Sequence, residues 1–479
     1  MRTLMCADDM AWECAENISH NWLLQFLKLD IKKPIAMFIL QRHRGDGAEF
    51  TILEKGSYNI SLRMKYEKNH AVVIRLAQPG AVFFPEEKVV NEVATMRLLT
   101  DQTSIPVPFI LGSGTKKESP LELSPFIMME YIEHKTNMYD ALNTPGCPKK
   151  DRGILDPNID VNTLELLYDQ LVGVLLQLSK ISFPRIGSLT QVDDFTWEVS
   201  RRPLSMNMNE LVRLGSLPRS KIPHTTFSTA SCYFEALADL NIEHLVHQRN
   251  DAVESADDCR RRFIARQLFR KLAREKRLTD STFEQGPFKI WCDDLRPGNI
   301  LLHENMQIAG VVDWEFTYAA PVEFSHAPPW WLLIEKPELW PNGMDNWEDV
   351  FSHRLKTFLR VMRSREDTEI QKGHINENQR LSSHMQWSWD SGNFWIVYAA
   401  LNSFAFDAIY WKKIDPLFFK AAGSPETAWK ERLDLLAEKE IEEMEQLVVR
   451  KLEEKETRVL KWDPDEYTVE AKAKAAEVG

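Results

Sequence analysis

Three oxygen-bearing side chains in one short stretch could carry metal-dependent chemistry. In "KIWCDDLRPGNILLHENMQIAGVVDWEFTYAAP", Asp294 is followed five residues later by Asn299, and Asp313 comes fourteen residues after that. Between the last two, "NILL" and "IAGVVDW" are β-like runs separated by the polar turn His303-Glu304-Asn305. A hairpin there brings its two open ends together, so Asn299 and Asp313 are expected to meet at the same end. Two oxygen ligands at one point, with a carboxylate one short loop away, form a hard-cation site of the magnesium type. The set suits phosphoryl transfer, in which one Asp orients the attacking hydroxyl while an Asn and a second Asp hold metal on a nucleotide. Pro297-Gly298 supplies a tight turn that aims Asn299 inward. A bare D-x4-N is common in surface loops. Here the Pro-Gly turn, the apolar strands and the placed second Asp together single it out.

Positioning these residues needs strands and helices on both sides of them. Residues 48–76 read as strands, broken at Gly56-Ser57 and at the polar turn Glu67-Lys68-Asn69. From Pro85 to Leu99 the period becomes helical, with Pro85, Glu86 and Glu87 where a helix N-terminus favours them. Pro106 and Pro108 break the chain, and a β-rich stretch ends in "SPFIMMEYI", Ser124 to Ile132. Residues 161–181 are apolar at helical spacing, 190–285 are helical in flavour but irregular, and 286–315 return to short strands. The remainder is helical and Trp-rich, closing with a Glu/Lys helix expected to start at Ser424-Pro425. The expected fold class is α+β, a small β-rich N-lobe joined to a larger helical C-lobe. In residues, that is an N-terminal helical extension (1–44), an N-lobe (45–132), a C-lobe with a helical insert near 190–285 (133–423), and a charged helix and tail (424–479).

Composition excludes several classes. Of 479 residues 44% are hydrophobic, so a large core is available and wholesale disorder is ruled out. Lys and Arg total 59 against 71 Asp and Glu, the wrong sign for a general nucleic-acid binder. Residues 424–479 alone hold 16 acids against 10 bases, half of the excess, so the acidity says little about any pocket. Six scattered cysteines without a CxxC pair argue against a disulfide scaffold or a zinc module and suit a reducing compartment. No apolar run approaches a membrane span. Met1 to Glu16, with Asp8, Asp9, Glu13 and Glu16, has neither the form of a secretory signal nor that of a transit peptide. The expected location is cytoplasmic.

"WCDDLRPGNILL…VVDWEF" resembles the catalytic loop and metal-binding segment of the aminoglycoside phosphotransferase (APH)-like family, and the wider chain, roughly 45–420, resembles its fungal branch. The resemblance implies a bilobal protein-kinase-like fold with ATP and Mg2+ in the cleft between lobes. It implies Asp294 as the catalytic aspartate and Asn299 and Asp313 as metal ligands; Asp293, six residues from Asn299, fits worse. Cys292 departs from the His usual two residues before the catalytic Asp. Such kinases also need a strand cation for the α- and β-phosphates and a helix carboxylate to hold it. Arg75 ends "HAVVIR", where the family commonly has Lys, and Glu92 shares a helix face with Val89, Met96 and Leu99. A carboxylate on an apolar face requires a partner, and Arg75 is the natural one. "KGSYN" (Lys55 to Asn59) falls where the nucleotide-covering loop lies, which puts Gly56 and Ser57 over the phosphates. "FIMMEYIE" resembles the lobe connector, with Met129 closing the adenine pocket and Glu130 to Ile132 offering main chain.

Other features read as structural. Arg260 to Arg277 holds nine bases and one acid among apolar residues, which suits a solvated helix face packed by its apolar side. Trp330-Trp331 and the aromatic run near 386–411 suit C-lobe core; the alternative is that some rings form the floor of a substrate pocket. Leu433, Leu436, Met444, Leu447 and Leu452 stand near heptad spacing, for docking on the lobe or on a protein partner. His134 and His326 have no companion at metal-ligand spacing. The expected activity is transfer of the ATP γ-phosphate to a hydroxyl of a small molecule. Cys292, Arg75 and the charged terminal helix motivate the alternative, a pseudokinase serving as a nucleotide-binding or scaffolding module.

Overall fold

The structure, a computed structural model, describes residues 7–67, 70–148, 151–419, 424, 427–460, 469, 470 and 473. Two helices, α1 (Asp9–Leu24) and α2 (Leu29–Arg42), precede an antiparallel five-stranded sheet. Its strands are β1 (Gly47–Lys55), β2 (Asn59–Tyr66), β3 (Ala71–Ala77), β4 (Ile110–Gly114) and β5 (Phe126–Glu130), in the order β1-β2-β3-β5-β4. Helix α3 (Pro85–Gln102) crosses between β3 and β4. Strand alternation divides β3 cleanly. Val72, Ile74 and Leu76 pack with Trp22, Phe26, Ile35 and Ile39 of the N-terminal helical segment. Val73 instead joins Ile127, Met129 and the apolar face of α3. Both sheet faces are covered, which is why "AVVIRLA" reads apolar throughout, and Arg75 falls on the α3 side.

The larger part begins with β6 (Thr136–Asn137), α4 (Met138–Leu142), α5 (Val161–Lys180) and β7 (Ser182–Phe183). The segment expected to be irregularly helical from 190 opens instead as a β-hairpin, β8 (Ser188–Asp193) and β9 (Thr196–Arg201). Its turn is closed by Asp193, whose side chain accepts from the Phe195 N–H at 3.0 Å. Phe195 is 76% exposed, so the apolar alternation that marks a strand is diluted there. Three helices follow: α6 (Met206–Leu214), α7 (Ala230–His247) and α8 (Ala256–Arg274), capped by Ser205, Thr229 and Ser255. Next come β10 (Phe288–Cys292), β11 (Ile300–Leu302), β12 (Ile308–Val311) and β13 (Thr317–Ala320). They build two small sheets, β13-β10-β7 and β12-β11-β6.

The rest is helical: α9 (Val322–His326), α10 (Gly343–Gln371), α11 (Leu381–Asp390), α12 (Asn393–Leu401), the single turns α13 (Phe406–Ile409), α14 (Asp415–Phe418) and α15 (Ala428–Glu431), and α16 (Glu438–Lys455). A small sheet lobe joined to a larger helical lobe makes this an α+β, bilobal, protein-kinase-like fold. No helix among the described residues is long and apolar enough to cross a membrane. The final helix starts later than expected. Ser424 is not helical, Pro425 lies outside the described residues, and α16 begins at Glu438, where Glu440 accepts from the Ala437 N–H at 2.9 Å. Its Met444, Leu447 and Val448 are buried, and the helix packs on α8.

The basic helix α8 is committed to pairs within the chain rather than to solvent. Arg260 meets Glu445 at 2.8 Å, Arg274 meets Glu235 at 2.6 Å, and Arg266, 2% exposed, donates to Asp407 at 2.6 and 3.0 Å. The facing Arg266 and Arg262 guanidiniums, against the opposing effect of burial, hold the Asp407 carboxyl down to about 2. Removing one partner of such a pair strands a buried charge. Asp407→Ala is therefore expected to lower unfolding free energy by about 3–5 kcal/mol, read by urea denaturation of the full chain. Arg274→Ala, at a half-exposed pair, should change it by under about 1 kcal/mol.

Candidate active site

The β11–β12 hairpin does what its sequence predicts. Ile300 pairs with Val311, and the Val312 N–H donates to the Asn299 carbonyl at 2.9 Å, so Asn299 and Asp313 stand at one end. Asp294 lies between β10 and that hairpin. Its carboxylate accepts from Asn299 Nδ2 at 3.0 Å and from Arg296 Nε at 2.7 Å. The Asn299 amide thereby turns its nitrogen to Asp294 and leaves its oxygen out of that contact. Asp313 has φ 64, a left-handed backbone that a non-glycine residue rarely holds. Trp314, fully buried, anchors it by donating Nε1–H to the Val311 carbonyl at 3.0 Å. A non-glycine residue in that region is disfavoured by about 1–3 kcal/mol, and such residues cluster at functional sites.

Carboxylate oxygens of Asp294, Asp313 and Glu315 come within 4.8 Å of one another. Burial, with Glu315 nearby, pushes the Asp313 carboxyl well above the usual carboxylate range, and burial also raises Asp294. Oxygens crowded this way form a donor set for a hard divalent cation, whose charge would reverse both shifts. Glu315 is itself engaged within the chain. Glu315 is ion-paired with Lys88 of α3 and accepts from Asn59 Nδ2 at 3.0 Å. Lys88 in turn donates to Asn59 Oδ1 at 2.9 Å.

Arg75 and Glu92 form an ion pair across β3 and α3, and Arg75 Nη1 also donates to Asp313 Oδ1 at 2.7 Å. Three acids raise the Arg75 guanidinium against the effect of burial: Glu92, Asp313 and Glu315. Cys292, two residues before Asp294, ties β10 to the segment after β12: its thiol donates to the Glu315 carbonyl at 3.7 Å. Gly56 and Ser57 lie on the exposed β1–β2 connection, where the Gly56 N–H donates to the Asn59 carbonyl at 2.9 Å. A Cβ at Gly56 would meet only that oxygen, at 3.5 Å, so sterics do not demand glycine there. Met129 is buried on the α3 side of β5. In the connector, the Glu130 and Tyr131 N–H groups donate to Phe109 and Ala71, and the Ile132 carbonyl accepts from His134. Among the described residues the Ile132 N–H donates to no protein acceptor.

Lys88, Asn59 and Glu315 were not singled out by sequence. The signal was present in part: Lys88 precedes Glu92 by one helical turn on the same buried face, and Glu315 ends the "DWE" triplet. Lys88 and Glu315 are 2% and 1% exposed, so each would be a stranded charge without the other. Glu315→Ala should cost about 3–5 kcal/mol of stability in metal-free protein. The double variant Lys88→Met with Glu315→Leu should recover most of it. An unchanged unfolding midpoint for Glu315→Ala would rule out the anchoring role.

The model of the phosphotransferase enzyme family (APH) matches residues 49–325, more than half of the chain. Two fungal proteins named Altered inheritance of mitochondria protein 9, mitochondrial, are similar. That of Debaryomyces hansenii is 24% identical over 319 residues, 58% of this chain and 48% of its own length. That of Clavispora lusitaniae is 22% identical over 275 residues, 51% of this chain and 43% of its own. The chain thus spans about half the length of the curated relatives it matches. Among solved structures, a GDP complex of an aminoglycoside phosphotransferase is 12% identical with TM-score 0.41, covering 88% of this chain and 98% of that one. Plasmodium vivax ethanolamine kinase is 12% identical with TM-score 0.34, covering 84% and 86%. The matched range takes in both the strand that carries Arg75 and the segment that carries Asp313, and the chain belongs to the phosphotransferase enzyme family.

Proposed function

We propose that the chain is an ATP-dependent phosphotransferase that moves the γ-phosphate to a hydroxyl of a small molecule. The observation that carries the reading is the meeting of Asp294, Asn299 and Asp313 beside the Arg75–Glu92 pair. In this reading Asp294 accepts a hydrogen bond from the acceptor hydroxyl and takes its proton late. Mg2+ held by Asn299 and Asp313 would neutralise charge on the β- and γ-phosphates. Arg75, braced by Glu92, steadies the α- and β-phosphates with a planar fork that can bond two oxygens at once. Gly56 and Ser57 cover the phosphates, Met129 closes the adenine pocket, and the Glu130–Ile132 backbone receives the base. Residues 45–132 act as the nucleotide lobe and 133–423 as the lobe that supplies the catalytic loop. Position and electrostatics supply most of the rate.

Cys147, Cys232, Cys259 and Cys292 carry free thiols, which suits a reducing compartment. The cytoplasmic reading competes with the mitochondrial one in the relatives' names, and fractionation of the tagged chain separates them.

Asp294→Ala is expected to lower ATP-dependent phosphorylation by roughly 100-fold or more, while Mg-ATP affinity in calorimetry stays within a few-fold of the parent. Turnover by the variant equal to the parent's would sink the assignment. Mg-ATP binding by the parent chain with no turnover across a metabolite-pool screen would instead favour the nucleotide-binding scaffold.

A further inference from the structure

The cavity that Asp294 lines has a volume of about 370 Å³ and reaches from the β1–β2 loop into the helical lobe. Ser57 and Tyr58 line it on the loop side, with Asp294 and Arg296 beside them. Deeper, its walls are mostly apolar: Trp330, Trp331, Leu339, Phe394 and Val397. Here some of the tryptophans that read as core in sequence serve as cavity wall. Trp330 is only half-buried, with Lys336 Nζ 5.5 Å from its ring centre.

Most charged groups of the wall have a partner within the chain, and Lys336, also on the wall, lies over the Trp330 ring. Glu210 accepts from the Tyr58 hydroxyl at 2.9 Å, and Glu338 from the Tyr398 hydroxyl at 2.7 Å. Asp293 accepts from Trp291 Nε1 at 2.6 Å and from the Met206 N–H at 2.8 Å. Arg296 is paired with Asp294 at 2.7 Å, and Arg152 with Glu335 at 3.4 Å. A polycationic acceptor needs carboxylates held open for it, and a sugar needs a ring of uncommitted donors and acceptors. Desolvating either one against the apolar side chains of the deeper wall would leave polar groups unmet. An apolar ring or chain loses nothing comparable and gains burial and aromatic contact.

Resting on the phosphotransferase reading, we infer that the acceptor is a largely apolar alcohol whose hydroxyl meets Asp294 and whose body lies against Trp330 and Leu339.

Isothermal titration calorimetry of the full chain with 2-naphthylethanol, glucose and kanamycin tests this without any phosphoryl transfer. The naphthyl alcohol should bind at least tenfold tighter than glucose or kanamycin. Trp330→Ala and Leu339→Glu should each weaken it at least tenfold while Mg-ATP affinity is kept. Absence of naphthylethanol binding, equal or tighter binding of glucose or kanamycin, or indifference to both substitutions would overturn the inference. Mg-ATP binding and product formation are measured separately. Failure of those arms with naphthylethanol still bound would remove the transfer reading and leave the cavity's preference standing.

Discussion

Two buried ion pairs on one face of α3 hold the site together. Lys88 reaches Glu315 and Glu92 reaches Arg75, which itself reaches Asp313, so one helix grips both the sheet and the segment after β12. Taking these groups out of water is unfavourable, and each is stable only while its partners stay in place. The helix, the strand and the loop must therefore move as one unit or not at all. That constraint fixes the distance between the cation expected to meet phosphate and the residues expected to hold metal. The accuracy a phosphoryl-transfer site requires thus comes from burial rather than from a rigid surface loop.

The catalytic stretch was legible because its logic is local. Two β-like runs joined by a polar turn bring Asn299 and Asp313 together, and a reader needs only period and turn chemistry to see it. Arg75 and Glu92 were legible for a related reason, since a lone carboxylate among Val89, Met96 and Leu99 demands a cation nearby. Lys88 and Glu315 were not, because each lies far from the other in the chain and a lysine in a helix's second turn is ordinarily solvated. The β8–β9 hairpin escaped notice because it is partly exposed and its alternation is weak. The start of α16 was placed too early because the residues before Glu438 share its charge pattern while folding as short turns.

The basic run in α8 shows how composition misleads about partners. Nine bases with one acid over Arg260 to Arg277 read as a solvated face, yet acids from α7, α13 and α16 reach back to meet several of them. The same packing buries the apolar stripe of α16 against its own lobe. Charge excess in one segment is balanced by deficit in another, and only the fold says which segments meet.

The helices α1 and α2 lie ahead of residue 49, where the family match begins, yet they cover one whole face of the small sheet. A fragment cut to the matched range would present Ile60, Leu62, Ile74 and Leu76 to water as a contiguous greasy patch. Such a truncation invites self-association before any question of catalysis arises. Boundaries for recombinant work therefore belong upstream of Asp8, whose side chain caps α1 and also bonds Ser216 and Asn250 of the helical lobe.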